Sequence, residues 1–278
     1  MTVQAALLQG TKLLEEASIA APRLTAEVLL AHALDRDRSY LYGHPEHELS
    51  ELEWLHYGRY LHERLAGKPT QYITGRQEFY GREFQVNKDV LIPRPETEHV
   101  VEAALEIRRG TNDILDIGTG SGALAITLQL EMKARVTATD ISPDALKVAA
   151  ENARRLHASV RFILCDVAGA IVDATQDVVV SNPPYVPLGD AAGLQREVRD
   201  HEPHIALFAG RTGLELYQRL IAEAARVLRP GGWLIVELGF GTHERVEAML
   251  DPRWSEVTIR PDLAGIPRVL AARLTAPL

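Results

Sequence analysis

Ile114-Leu115-Asp116-Ile117-Gly118-Thr119-Gly120-Ser121-Gly122-Ala123 is a short, mostly apolar strand that runs without a spacer into a glycine-rich bend. Glycines there let the backbone turn sharply and let a ligand press against the main chain, where a side chain would otherwise intrude. The helix expected from Gly122 makes this a strand-turn-helix unit. Gly118, Gly120 and Ala123 also fit the Gly-x-Gly-x-x-Gly/Ala spacing of dinucleotide binders, so the bend alone leaves the ligand open. Asp116 either orders this loop or contacts an amino group of the ligand.

Downstream of the bend, strands and helices alternate. A strand ends at Asp140, and a helix starts at Ser142 with Pro143 in its first turn. Apolar runs follow at Val160–Leu164 and Val178–Val180. A helix over Leu214 to Leu228 stops at Pro230-Gly231-Gly232, and Trp233–Leu238 is the next strand. Such alternation predicts an α/β domain with a mostly parallel sheet covered on both faces. Asp140, at its strand end, is placed to accept hydrogen bonds from both hydroxyls of a ribose. Asp166, after Cys165, is placed to reach the amino group of an adenine packed on Val167.

Upstream, residues 1–70 predict a bundle of short helices. Val3, Leu7 and Leu14 recur at helical spacing, as do Leu24, Val28 and Ala31 after Pro22. Ser50 with Glu53 forms a capping box that starts a third helix, and Gly67 closes it. Residues 71–90, with short aromatic and β-branched runs around Gly75 and Gly81, predict a β-hairpin linker. Residues 91–278 form the second domain, opening with the proline-stiffened Leu91-Ile92-Pro93-Arg94-Pro95-Glu96-Thr97-Glu98.

Composition narrows the function classes. Among 278 residues, 46% are hydrophobic and 24% charged, which is ordinary for a folded chain. Thirty Lys and Arg against 38 Asp and Glu give a net charge of -8, which argues against affinity built on many phosphate contacts. Cys165 is the only cysteine, so the chain forms no disulfide with itself and no cysteine-rich zinc site. His44 and His47, like His201 and His204, are three apart but lack a third ligand, so no metal is expected. Without a leader-like start or an apolar run of about 20 residues, a cytoplasmic protein with no membrane role is expected. The oligomeric state stays open, with a monomer as the default.

Ser181-Asn182-Pro183-Pro184-Tyr185 directly follows the strand Val178-Val179-Val180. Two prolines fix their φ angles and remove two donors, leaving a rigid loop rich in acceptors. A planar NH2 conjugated to a carbonyl or a ring is a weak nucleophile, because its lone pair is delocalised. If the Asn182 side-chain oxygen and the Pro183 carbonyl each accept one N–H, they orient that nitrogen and stabilise the positive charge that develops on transfer. Tyr185 is expected to stack on the planar group and exclude water.

With this loop the sequence resembles the class I methyltransferases that act on planar amino groups, and within them the HemK/PrmC family of peptide chain release factor glutamine methyltransferases. The resemblance spans nearly the whole chain. It rests on Phe79-Tyr80-Gly81 with Phe84, Pro93 to Glu98, Asp116 to Gly122, Asn182 to Tyr185, Glu202-Pro203 with Ala206-Leu207, and Asp262-Leu263-Ala264-Gly265. It implies a Rossmann-like seven-stranded sheet with an antiparallel final pair. It also implies S-adenosyl-L-methionine as cofactor, and as acceptor the glutamine of the Gly-Gly-Gln motif in bacterial class 1 release factors. By the family pattern Gly118, Thr119, Gly120, Ser121, Gly122, Asp140, Val167 and Asn182 line the cofactor site, while Asn182, Pro183, Pro184 and Tyr185 hold the substrate. The N-terminal bundle would grip the release factor. An aromatic residue often stands where this chain has Val167.

Other readings remain. A glutamine methyltransferase acting on a ribosomal protein would keep chemistry and fold and change only the docking surface. Methyltransferases acting on adenine or guanine amino groups share such loops, but base flipping and phosphate grip call for a basic cleft that this chain does not clearly show. An NAD-dependent oxidoreductase would need a residue to handle hydride transfer, and none is evident. A non-catalytic docking protein would leave both the glycine turn and the acceptor loop without a purpose.

Overall fold

The computed structural model describes residues 1–107 and 112–275; the remainder of the expected second domain, 108–111 and 276–278, lies outside the described residues. Two compact units are present. One comprises Met1–Arg76 together with Gln195–His201, and the other Gln77–Leu194 with Glu202–Leu278.

The first unit is helical: α1 (Val3–Glu16), α2 (Pro22–Leu34), α3 (Arg38–Gly43), α4 (Glu51–Leu65) and α5 (Thr70–Thr74). Val3, Leu7 and Leu14 of α1 are buried against Leu29 and Leu30 of α2 and Tyr57 and Leu61 of α4. Gly10 is needed there, because a Cβ on it would stand 2.0 Å from the Tyr57 hydroxyl. Ser50 and Glu53 form the expected capping box, and Gly67 follows α4 at φ +104°. This is the fourth helix rather than the third, since the short α3 carries too little periodicity to show in sequence. On α2 the buried face runs through Ala26, Leu29 and Leu30, and Leu24 is exposed. Its inward polar residue, Glu27, is held by Arg23, Arg38 and Tyr42.

The hairpin is shorter than its predicted span. Tyr72 and Ile73 belong to α5, and β1 (Arg76–Phe79) and β2 (Arg82–Gln85) turn through Tyr80 and Gly81, both at positive φ. Phe79 and Phe84 meet edge to face at 6.0 Å within the second unit's core.

The second unit continues with α6 (Glu98–Glu106), β3 (Asp113–Ile117), α7 (Ala123–Met132), β4 (Arg135–Asp140), α8 (Pro143–Arg155), β5 (Val160–Leu164) and β6 (Gln176–Ser181). α9 (Arg196–His201) belongs to the first unit, where Arg64 pairs with Glu197 and Arg196 donates to the Ala66 carbonyl. The chain then returns through α10 (Glu215–Val227), β7 (Leu228–Glu237), α11 (His243–Glu247), β8 (Trp254–Pro261) and β9 (Pro267–Leu274). Seven strands form one sheet in the order β5-β4-β3-β6-β7-β9-β8. All neighbours from β5 to β7 are parallel, and β9 is antiparallel to both β7 and β8.

Alternation along the strands sends Leu115, Ile117 and Val179 into one core, with Tyr217 and Leu220 of α10. Ile114, Val178 and Val180 enter the other, with α6 and α7. β7 begins at Leu228, earlier than expected, because Pro230-Gly231-Gly232 bulges while the strand keeps pairing, with a register shift opposite Gln176 and Val178. The chain builds outward from β3 to β5, then crosses back to lay β6 beside β3. That reversal opens a crevice at the carboxyl ends of β3 and β6, where ligands bind in sheets of this kind.

Candidate active site

A cavity of about 340 Å³ lies within the second unit at that reversal. Gly118 and Gly120 follow β3, Asp140 ends β4, Cys165, Asp166 and Val167 follow β5, and Asn182, Pro183 and Pro184 follow β6; all line it. Four separate strand ends thus bring residues far apart in sequence to one cavity.

The glycine bend is tied from below. Asp116 is fully buried on the α7 face, where its Oδ2 accepts from the Thr119 hydroxyl at 2.6 Å and the Ala125 amide at 3.2 Å. Burial pushes its carboxyl up to about 7 against those two bonds. Of the two roles open to Asp116 in sequence, this geometry performs loop ordering. Thr119, Ser121 and Gly122 are buried behind the cavity wall: Ser121 gives its carbonyl to Asn152, and Gly122 is the left-handed N-cap of α7. At Gly118 and Gly120, both at positive φ, an added Cβ would meet nothing within 4 Å, so the bare backbone is open to a ligand.

Asp140 is the other fastener of the bend. Its Oδ2 accepts from the Gly120 amide and its Oδ1 from the Ser142 amide, each at 2.9 Å. A carboxylate offers about four acceptor positions, so each oxygen keeps one for a diol. Burial raises its pKa, opposed by the backbone donors. On the next strand end, Asp166 meets Arg219 of α10 at 2.5 Å, and Arg219 also lines the cavity. Sequence reasoning missed Arg219, which lies 53 residues away on a helix where one arginine among charged neighbours carries no signal. Cys165 stands one residue past β5 in the cavity wall. Val167 is buried at φ +50°, an unusual conformation for a β-branched residue, and its carbonyl accepts from the Thr139 hydroxyl at 2.8 Å.

The Asn-Pro-Pro-Tyr loop is held by residues that sequence alone did not link to it. The Asn182 Nδ2 donates to Thr97 Oγ1 at 3.0 Å, and Thr97 donates to Glu237 Oε2 at 2.5 Å. Glu237, at the end of β7, is buried, which pushes it up to about 7. Tyr185 is half-buried against the α10 core, pushed up to about 12 by burial, and a Cβ on Gly239 would stand 2.8 Å from its ring. Its backbone carbonyl lies so near Gly213 that a Cβ there would be 2.4 Å away. Three polar residues of Pro93 to Glu98 fasten something: Arg94 pairs with the buried Glu202, Thr97 with Glu237, and Glu98 accepts from the Tyr80 amide.

A cavity of this size, two bare glycines and a carboxylate with spare acceptor positions suit a nucleoside-bearing cofactor. Among the described residues no cluster of His, Cys, Asp and Glu is placed to hold a metal, and no helix is long and apolar enough to cross a membrane. A parallel sheet whose penultimate position is filled by an inserted antiparallel strand, with an acceptor loop after β6, defines a class I methyltransferase, the class that draws its methyl from S-adenosylmethionine. A Pyrococcus furiosus methyltransferase structure shares the fold with a TM-score of 0.54 at 20% identity, over 71% of this chain and 91% of that one. Residues 5–75 match the PrmC N-terminal domain and residues 99–194 the methyltransferase small domain. The chain is 47% identical to the release factor glutamine methyltransferase of Koribacter versatilis, over 98% of this chain and 99% of that one. It is 42% identical to the enzyme of the same name from Nitratidesulfovibrio vulgaris, over 98% and 95%. The chain belongs to the HemK/PrmC family of release factor glutamine methyltransferases.

Proposed function

We propose that this chain methylates the side-chain amide nitrogen of the glutamine in the Gly-Gly-Gln motif of bacterial class 1 peptide chain release factors. The observation that carries the chemistry is the inward-turned Asn182 amide. With Nδ2 given to Thr97, its oxygen is the edge left to accept from an incoming NH2. When bound, S-adenosylmethionine supplies a methyl on a positively charged sulfur. Asp140 holds the ribose, Gly118 and Gly120 admit the cofactor against bare backbone, and Asp166 with Val167 receives the adenine.

Asn182 Oδ1 and the Pro183 carbonyl each take one N–H of the glutamine amide. They aim the nitrogen along the line of displacement and stabilise the charge it gains. Tyr185 with Pro184 covers the amide plane and excludes water. No strong base is needed before transfer, because the nitrogen becomes acidic only once methylated. Residues 1–70 serve release-factor docking, residues 71–90 link, and residues 91–278 carry catalysis. The protein works in the cytoplasm without nucleic acid, which suits a partner of the translation machinery.

Transfer of labelled methyl from S-adenosylmethionine to three acceptors side by side tests this: unmethylated release factor, ribosomal proteins and nucleic acid. Label on the release factor supports the proposal. Label only on a ribosomal protein would keep the slot chemistry and change the substrate. Label only on nucleic acid would overturn it.

A further inference from the structure

The acceptor role of Asn182 depends on which edge of its amide faces the cavity, and an asparagine by itself has no preference. With Oδ1 outward it accepts from an incoming NH2; flipped, it would aim two donors at two donors. The two edges have nearly the same shape, so packing cannot choose between them. Only a hydrogen-bond partner of defined polarity can.

That partner is Thr97. Its side chain is buried, with the residue 4% exposed, and it sits between the Asn182 amide and a carboxylate that is 2% exposed. A hydroxyl has one proton. With Glu237 ionised, Thr97 can only donate it to Oε2, at 2.5 Å, so toward Asn182 it can only accept, and at 3.0 Å it accepts from Nδ2. Glu237 is in turn fixed at the end of β7, where the Tyr217 hydroxyl donates to its backbone carbonyl at 2.8 Å.

We infer that Thr97, with its hydroxyl oriented by Glu237, is a positioning residue that sets the amide of Asn182 with its oxygen toward the acceptor. This rests on the acceptor role proposed for Asn182. Thr97 and two residues 85 and 140 positions from it along the chain thereby act as one directional relay from the sheet to the transfer site. The family motif around Thr97 gains a catalytic reason for a hydroxyl at this position, which a purely structural turn would not need. Valine has the same shape and no polarity; serine has the polarity and lacks one methyl.

Steady-state kinetics on unmethylated release factor separate the possibilities, with wild type, Thr97→Ser, Thr97→Val, Asn182→Ala and the Thr97→Val/Asn182→Ala double variant. Calorimetric titration with S-adenosylmethionine confirms that each is folded and binds cofactor. Thr97→Val should lower kcat about tenfold, the usual weight of one buried hydrogen bond, while KM for S-adenosylmethionine stays within about twofold. Thr97→Ser should restore most of that loss. In the Asn182→Ala background Thr97→Val should cost nothing further, because the group it positions is gone. A wild-type kcat for Thr97→Val would overturn the inference, as would a Thr97→Ser variant as slow as Thr97→Val. So would an undiminished tenfold loss in the Asn182→Ala background. If Asn182→Ala itself turns over normally, the acceptor role fails first and the relay has nothing to position.

Discussion

Replacing Asp140 by alanine removes the carboxylate that faces two ways at the end of β4. On the protein side it accepts the Gly120 and Ser142 amides at 2.9 Å each; on the cavity side one acceptor position remains on each oxygen. Two hydrogen bonds from ribose hydroxyls to a carboxylate contribute about 1.5 to 3 kcal/mol each, less the cost of ordering. A net loss of about 3 kcal/mol corresponds to roughly 100-fold weaker binding of S-adenosylmethionine. Isothermal titration calorimetry reads this directly, with circular dichroism checking that the loop rearrangement is local. Turnover at saturating cofactor should fall much less than affinity. Burial raises the Asp140 pKa, so wild-type affinity should weaken on acidification at a higher pH than an ordinary carboxylate would give, and the alanine variant should lack that dependence. Affinity for S-adenosylmethionine within threefold of wild type would refute the ribose assignment.

The slot makes the opposite demand: Asn182→Ala should leave cofactor affinity nearly unchanged and cut kcat by roughly 100- to 1,000-fold, the scale for one preorganised dipole facing developing charge. Glu237 is held at about 7 against an ordinary 4.5, so the folded chain keeps a proton there that the unfolded chain releases. Its burial therefore costs stability as pH rises from about 4.5 to about 7, and Glu237→Gln should be more stable than wild type above that range, by at most about 3 kcal/mol. Thermal melts from pH 4 to pH 8 should show this advantage vanish at the acid end; an advantage independent of pH would show that the carboxyl is not the cause. Gly213→Ala must hold φ near +77° and place a Cβ 2.4 Å from the Tyr185 carbonyl. It should cost about 2 kcal/mol or more and slow transfer, whereas a variant with wild-type melting and kcat would show that this approach is not needed.

Much of the fold was legible because each piece announced itself locally. Apolar runs such as Ile114–Ile117 and Val160–Leu164 became strands, and the glycines after β3 and the prolines after β6 marked the two bends that meet across the cavity. What was hidden is non-local. Thr97 and Glu237 look in sequence like residues of a turn and a strand end; β7 lying beside β6 brings Glu237 near Asn182, and Thr97, just before α6, bonds to both. Arg219 reaches Asp166 only because α10 packs on that side of the sheet. α9 gives no sign in sequence that it joins the N-terminal unit, since that rests on the pairing of Glu197 with Arg64. The boundaries that shifted, at Tyr72 and Pro230, lie where a short helix and a bulge satisfy the backbone without a periodic apolar pattern.

The central claim is where the methyl goes. Fragmentation mass spectrometry of unmethylated release factor, after incubation with this protein and S-adenosylmethionine, locates the added methyl on a single residue. The account predicts a methyl on the side-chain nitrogen of the Gly-Gly-Gln glutamine, absent when Asn182→Ala is used for the same short incubation. A methyl on any other residue of the release factor, or none, would contradict it.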